Sequence, residues 1–302
     1  MATARYTVVG LGEVLWDLLP TGKHLGGAPA NFAYITSLLG DEGIPASRVG
    51  ADDLGDEALR RLMELGLPTD FIQKDANHPT GTVKVEVDVA GQPCFEISES
   101  VAWDFLEWTA PWQKLAAHAD AVCFGSLAQR AEQSRSTICN FVNATRSRAV
   151  RIFDVNLRQR FFSARILSDS VKLATIVKLN HEELPRIMQW LSLEHRDEES
   201  SARRLLALND KVQMVCVTRA NGGSLLATAD NCNSHPGFRV KVVDTVGAGD
   251  AFTAALVHEF LRGASLERMN EVANRVGAWV ASEAGAMPAL KPGGLEKTLA
   301  AI

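Results

Sequence analysis

The sequence lacks the marks that would commit it to a metal, a membrane or a nucleic acid. Its five cysteines (Cys94, Cys123, Cys139, Cys216, Cys232) are odd in number and form no CxxC pair, which argues against a disulfide framework or a zinc ribbon. Cys123 and Cys216 lie in apolar, strand-like runs and read as buried, reduced thiols. The seven histidines form no HxxxH or HExxH, and His181 and His195 are far apart in sequence, so a histidine-based zinc site is not expected. A formal charge of −5 with scattered Lys and Arg offers no basic field, which excludes nucleic acid as the principal partner. No apolar run is long enough to span a membrane and no cleavable leader opens the chain, so a cytoplasmic protein acting on small molecules is expected. Internal repeats and low-complexity tracts are also absent.

What is present is an alternation of β-rich and helical stretches. Apolar runs begin at Tyr6, Asp120, Val150, Thr175 and Val212. They lack polar alternation and are spaced by helical sequence, which predicts a parallel sheet covered on both faces. Helices are predicted over Pro29–Leu39, Asp56–Leu65 and Ala251–Arg262, each stopped by a glycine: Gly40, Gly66 and Gly263. One segment differs. "TVKVEVDVAGQPCFEIS" alternates Val83, Val85, Val87 and Val89 with Lys84, Glu86 and Asp88, turns over Ala90–Pro93 and resumes as a strand. Period-two alternation means a sheet with one wet face. It fits an edge hairpin of the main sheet or a small separate sheet able to cover a site.

Two common phosphate cradles fail at the residue level. "GLGEVL" has Gly10 and Gly12 but Leu15 where a dinucleotide fingerprint needs a third glycine, and no GK[ST] occurs. Another cradle is offered by "VVDTVGAGDAF", residues 242–252, where Gly247, Ala248 and Gly249 leave backbone N–H groups bare at a helix start. Such donors suit charge developing during phosphoryl transfer. Asp250 follows at once, and a carboxylate beside an anion hole can take the proton of an attacking alcohol. The alternative is a plain helix cap.

"GGAPANFA" (Gly26–Ala33), "KLNHEE" (Lys178–Glu183) and "DTVGAGDAFTAA" (Asp244–Ala255), in that order along the chain, resemble the signatures of the PfkB, or ribokinase-like, family of carbohydrate kinases. The resemblance runs through nearly the whole chain. It implies one domain over residues 1–302 with a three-layer α/β ribokinase-like fold, a central mostly parallel sheet and a small β-sheet lid formed in part by residues 82–97. It further implies ATP as donor, Mg²⁺ as cofactor, a sugar hydroxyl as acceptor and a homodimer through the lid. Carried over by position, Asp250 is the catalytic base and Gly247, Ala248 and Gly249 supply the anion hole. Asn180 and Glu183 organise Mg²⁺ through its water shell near the nucleotide phosphates, consistent with the oxygen ligands Mg²⁺ prefers.

Asp17, Gly27 and Asn31 match sugar-binding positions, against the alternatives of a glycine turn and an asparagine cap. "FDVNLRQRFF" carries Asp154, Asn156 and Arg158 in a D-x-N-x-R segment like that of fructokinase-like and ketodeoxygluconate-kinase-like members, and Arg158 offers a rigid fork for a phosphate or polar substrate. On the nucleotide side Thr218 and Gly223 retain a TxGxxG pattern whose middle glycine is replaced by Ala220, and Asn274 matches a position near the adenine. Backbone carbonyls of Asp244 and Val246 match a monovalent-cation loop, for K⁺, although Ala289 stands where ribokinases commonly carry a hydroxyl. The motifs favour D-fructose phosphorylated at its 6-hydroxyl. 2-Keto-3-deoxygluconate, ribose or a nucleoside are alternatives within the class, and a non-catalytic sugar sensor is the alternative outside it.

Overall fold

The computed structural model describes residues 5–19, 22–87, 93–290, 294–300 and 302. Thirteen strands occur among them: β1 (Thr7–Leu11), β2 (Leu15–Leu19), β3 (Gly22–Gly26), β4 (Glu42–Gly50), β5 (Ile72–Asp75), β6 (Gly81–Val87), β7 (Pro93–Ile97), β8 (Ala121–Gly125), β9 (Val150–Asp154), β10 (Ile176–Asn180), β11 (Met214–Thr218), β12 (Ser224–Ala227) and β13 (Cys232–His235). The main sheet has the order β13-β12-β11-β10-β9-β8-β1-β4-β5. It is parallel from β5 to β11 and antiparallel only at β12 and β13. Alternate residues of its strands enter opposite cores. Val9, Leu11, Val122 and Phe124 pack on one face with Trp112, Phe141 and Leu167, while Val8, Ala121 and Cys123 pack on the other with Phe32, Phe252 and Val276. Burial on both faces is why the strands read as continuous apolar runs.

The expected helices occur as Ala28–Leu38, Asp53–Glu64 and Ala248–Leu261, each followed by its glycine at positive φ (Gly40 97°, Gly66 77°, Gly263 67°). Two begin three residues earlier than the sequence predicts. Asp52 caps the second through its side chain, accepting from Gly55 N at 2.7 Å. The third starts at Gly247, so Asp250 lies inside its first turn and is not its cap.

The alternating segment belongs to a separate four-stranded sheet, order β3-β2-β6-β7, and not to the edge of the main one. β2 runs parallel to β6, and the two outer pairings are antiparallel. The sheet is anchored at its base: Val83 and Ile97 are buried, Trp16 donates from Nε1 to Leu54 O at 2.9 Å, and Lys23 pairs with Glu57 at 2.5 Å. Residues 88–92, which hold Asp88, Val89 and most of the expected turn over Ala90–Pro93, lie outside the described residues, as do the side chains of Val85, Glu86, Val87 and Cys94. Cys123, Cys139, Cys216 and Cys232 are free, the first and third of them buried.

Candidate active site

Parallel pairing brings the carboxyl ends of β1, β8, β9, β10 and β11 to one edge, where open α/β sheets bind ligands. Gly125 is in register with Asp154, Asp154 with Lys178, and Asn180 with Thr218. The start of the Ala248–Leu261 helix faces this edge. Gly247 adopts φ 76°, and a Cβ there would lie 2.4 Å from that of Ala286, so only glycine lets the chain turn into the helix. The N–H groups of Gly247, Ala248, Gly249 and Asp250 precede any helical acceptor. That of Ala248 turns to Thr245 O at 3.3 Å.

Asp250 Oδ2 accepts from Asn31 Nδ2 at 2.8 Å. Asn31 sits on the Ala28–Leu38 helix, one turn beyond its glycine cap, so its side chain crosses to the other helix and is not itself a cap. Burial pushes the Asp250 carboxyl up to about 6, and the Asp154 charge adds to this, while Asn31, Lys178 and Arg158 oppose it. A cavity lined by Glu13, Pro29, Phe32, Cys123, Asn156, Asp250 and Thr253 opens at this carboxylate.

Below the cavity, Lys178 Nζ lies 3.1 Å from both oxygens of Asp154, and both residues are buried. Thr253 Oγ1 donates to Asp154 Oδ2 at 3.3 Å. A Cβ on Gly249 would come within 3.2 Å of Lys178 Nζ, which places the ammonium group against the glycine-rich turn. Glu183 accepts from Asn180 N at 2.8 Å and from Leu157 N at 2.7 Å. Asn180 Oδ1 in turn accepts from the N–H groups of Glu182 and Glu183 at 2.9 and 2.8 Å. The NxxE element therefore ties the end of β10 to the loop after β9. Burial raises the Glu183 carboxyl, and Lys178 opposes the rise. That loop turns through Asn156 at φ 42° and Gln159 at φ 46°, leaving Arg158 exposed between them.

Asp17 projects from β2, opposite His24 of β3. Burial raises its carboxyl; His24 and Arg158 lower it and Asp244 raises it, so these charges share one region. A Cβ on Gly26 would lie 2.6 Å from Asp17 Oδ2, and one on Gly27, at φ 108°, would lie 2.4 Å from Glu13 O. Gly27 is thus required by the approach of two backbones.

On the far side Thr218 ends β11 and accepts at its carbonyl from His181 N at 2.9 Å. Gly223 needs its missing side chain, because a Cβ would lie 2.0 Å from His235 O. Ala220 takes φ 50°, so the substitution in the TxGxxG pattern keeps the left-handed turn at a cost of about 1–2 kcal/mol. The Asn274 amide donates to Ser224 Oγ at 2.7 Å and Asn270 O at 2.8 Å, which leaves only its carbonyl oxygen for a ligand. Asp244 accepts from Val246 N at 3.0 Å and Gly285 N at 3.1 Å, clipping the loop before the helix to the C-terminal segment. Among the described residues no three His, Cys, Asp or Glu side chains are grouped to hold a metal ion.

Sequence reasoning singled out neither Glu13 nor Lys178, and quoted Asp154 only within a motif. The available signal was a lone charge inside an apolar run, "GLGEVLW" and "TIVKLN", which burial without a partner would penalise.

A buried carboxylate, Asp250, thus sits in a glycine-rich helix start at the carboxyl edge of a two-sheet α/β fold. The pfkB family carbohydrate kinase description matches residues 17–292, and the chain belongs to that family. It is 31% identical over 298 residues to the uncharacterized sugar kinase PH1459 of Pyrococcus horikoshii, covering 92% of this chain and 91% of that protein. It is 30% identical over 304 residues to a fructokinase of Escherichia coli, covering 93% and 94% of the two chains. The structure of a Vibrio cholerae fructokinase bound to fructose, ADP and calcium ion superposes with a TM-score of 0.79 at 26% identity, covering 98% of each chain.

Proposed function

We propose that this kinase is a fructokinase, transferring the γ-phosphoryl group of ATP to the 6-hydroxyl of D-fructose. The observation that carries the reading is the Asp250 carboxylate, buried, oriented by Asn31 and set in the first turn of a glycine-rich helix start. The 6-oxygen attacks the γ-phosphorus, the new O–P bond forms as the bond to the β-phosphate oxygen breaks, ADP leaves, and the hydroxyl proton passes to Asp250. With Oδ2 engaged by Asn31, Oδ1 faces the substrate. The N–H groups of Gly247, Ala248 and Gly249 take up charge on the transferring group. Asp17, Asn31 and the Gly27 backbone bind the sugar, and Arg158 closes the mouth with a guanidinium group.

Thr218, Gly223 and the Asn274 carbonyl lie on the nucleotide side. The oxygen donors Asn180 and Glu183 fit a Mg²⁺ held through water and phosphates, since both Glu183 oxygens already accept backbone N–H groups. When bound, Mg²⁺ neutralises phosphate charge. Carbonyls of Asp244 and Val246 are the candidates for K⁺. The same reading includes action in the cytoplasm and a homodimer through the small sheet; among the described residues no helix is long and apolar enough to cross a membrane. The names of the E. coli and V. cholerae relatives support fructose over 2-keto-3-deoxygluconate, ribose or a nucleoside. An ADP-release assay across these acceptors tests the reading. Fructose should give the highest kcat/KM and yield fructose 6-phosphate; preference for another acceptor overturns the substrate, and ADP release with none overturns catalysis in favour of a sensor.

A further inference from the structure

Asp250 is not the only carboxyl in the cavity. Glu13 follows β1 and is held in place by its neighbours: Gly12 N donates to Ala46 O at 3.0 Å, and the Glu13 carbonyl packs on Gly27. Its side chain lines the same cavity as Asp250, Asp154 and Asn156, and the residue is 4% exposed. Its Oε2 is fully buried and has no hydrogen-bond partner among the described residues. Burial there disfavours the ionised carboxylate, and the carboxylic acid needs an acceptor. The established chemistry of the site leaves this group without a task.

We propose that Glu13 is a specificity-determining residue that donates a hydrogen bond from its carboxyl group to an oxygen of the acceptor sugar. The assignment rests on reading this cavity as the acceptor site. Burial pushes Glu13 up to about 7; its own backbone N–H lowers it, the Asp250 charge raises it, and Arg158 and Arg130 lower it. Those groups come from each side: Asp250 from the Ala248–Leu261 helix, Arg158 from the loop after β9, and Arg130 from the Leu127–Gln129 turn, where Asp104 neutralises it at 2.7 Å. Asp154 and Cys123 complete the wall. Two interacting carboxyls in one cavity titrate as a pair. The Asp250 charge raises Glu13, so the ionised base helps keep the second acid protonated, a separation of roles by environment. Such an acid rejects an acceptor that offers no oxygen at its position, since the buried donor would be left unpaired.

An acid raised to about 7 donates below that pH and loses the donor above it. Between pH 6.5 and 8.0 the protonated fraction falls about eightfold, so sugar affinity should fall by the same factor. D-Fructose binding without nucleotide is therefore measured by calorimetry at both pH values, in two buffers of different ionisation enthalpy. The parent should bind about eightfold more weakly at pH 8.0 and take up about one proton per sugar there. Glu13→Gln, which keeps a neutral donor, should show neither effect. Affinity and proton count unchanged with pH in the parent, or an eightfold loss kept by Glu13→Gln, would refute the assignment. The parent's proton uptake decides the matter even if the variant does not fold. Sugar turnover with pH-indifferent binding refutes Glu13 alone, while absence of both binding and turnover with every sugar refutes the acceptor site and Glu13 together.

Discussion

Replacing Lys178 by methionine should damage stability and catalysis in separable ways. Lys178 Nζ lies 3.1 Å from each Asp154 oxygen, with side-chain exposures of 9% and 7%. Burial lowers the Lys178 ammonium's affinity for its proton, but the charges of Asp154, Glu183 and Asp250 outweigh that and raise it. Methionine fills the same space and leaves Asp154 buried with, among the described residues, only the Thr253 hydroxyl at 3.3 Å, which also reaches Gly249 O at 2.8 Å. Removing one member of such a pair costs about 3–5 kcal/mol, which at about 2 °C per kcal/mol for a chain of this size is a fall of roughly 6–10 °C in Tm. Adding Asp154→Asn removes the stranded charge and should recover at least about half of the loss. In catalysis, Asp250 loses one of the cations that lower it, so the acid limb of kcat/KM should move above about 6. Differential scanning at pH 8, with a pH–rate profile, tests both. A Tm within 2 °C of the parent refutes the reasoning.

Gly27→Ala should destabilise by at least ~2 kcal/mol, because the new Cβ must sit at φ 108° and 2.4 Å from a backbone oxygen; urea midpoints measure it. Asp17→Ala should raise the KM for sugar by at least about tenfold and leave affinity for an ATP analogue unchanged, whereas equal losses would mean a folding defect. Glu183→Gln should raise the Mg²⁺ concentration for half-maximal rate more than the sugar KM, and a change confined to sugar would contradict its metal-side placement. Saturating fructose should slow hydrogen exchange in residues 82–97 more than in the Ala248–Leu261 helix if the small sheet closes over the site, and indifference in that segment would contradict closure.

Much of this architecture was legible because local signals and tertiary roles coincide. Fully buried parallel strands have no wet face, so β8, β9, β10 and β11 announce themselves as apolar runs. The glycines after three helices are legible for the same reason, since their positive φ is a local requirement. Three signatures located Asn31, Glu183 and Asp250, and the Asn31–Asp250 hydrogen bond joins residues 219 positions apart. Other elements were not legible. "EVLWDLL" does not alternate, because Leu15 and Trp16 enter different cores, so β2 does not read as half of a wet sheet. The role of Lys178 depends on Asp154 lying in register on the next strand, a pairing set by sheet order. Glu13 sits in a stretch that resembles a failed dinucleotide loop, and only the cavity beside it gives its carboxyl a purpose. The start of the Ala248–Leu261 helix was placed three residues late because Gly247 and Gly249 read as loop, although they are the residues that let the helix begin against Ala286 and Lys178.

The central claim is that Asp250 removes the proton from a sugar hydroxyl, and the turnover of Asp250→Asn measures it most directly. Asparagine keeps the shape, can still meet Asn31, and cannot act as a base. With fructose, ATP and Mg²⁺ saturating at pH 7.5, above the value of about 6 to which burial raises Asp250, kcat should fall by at least ~100-fold while Tm and affinity for an ATP analogue stay near those of the parent. A folded Asp250→Asn protein that binds nucleotide and turns over within a few-fold of the parent would contradict the account.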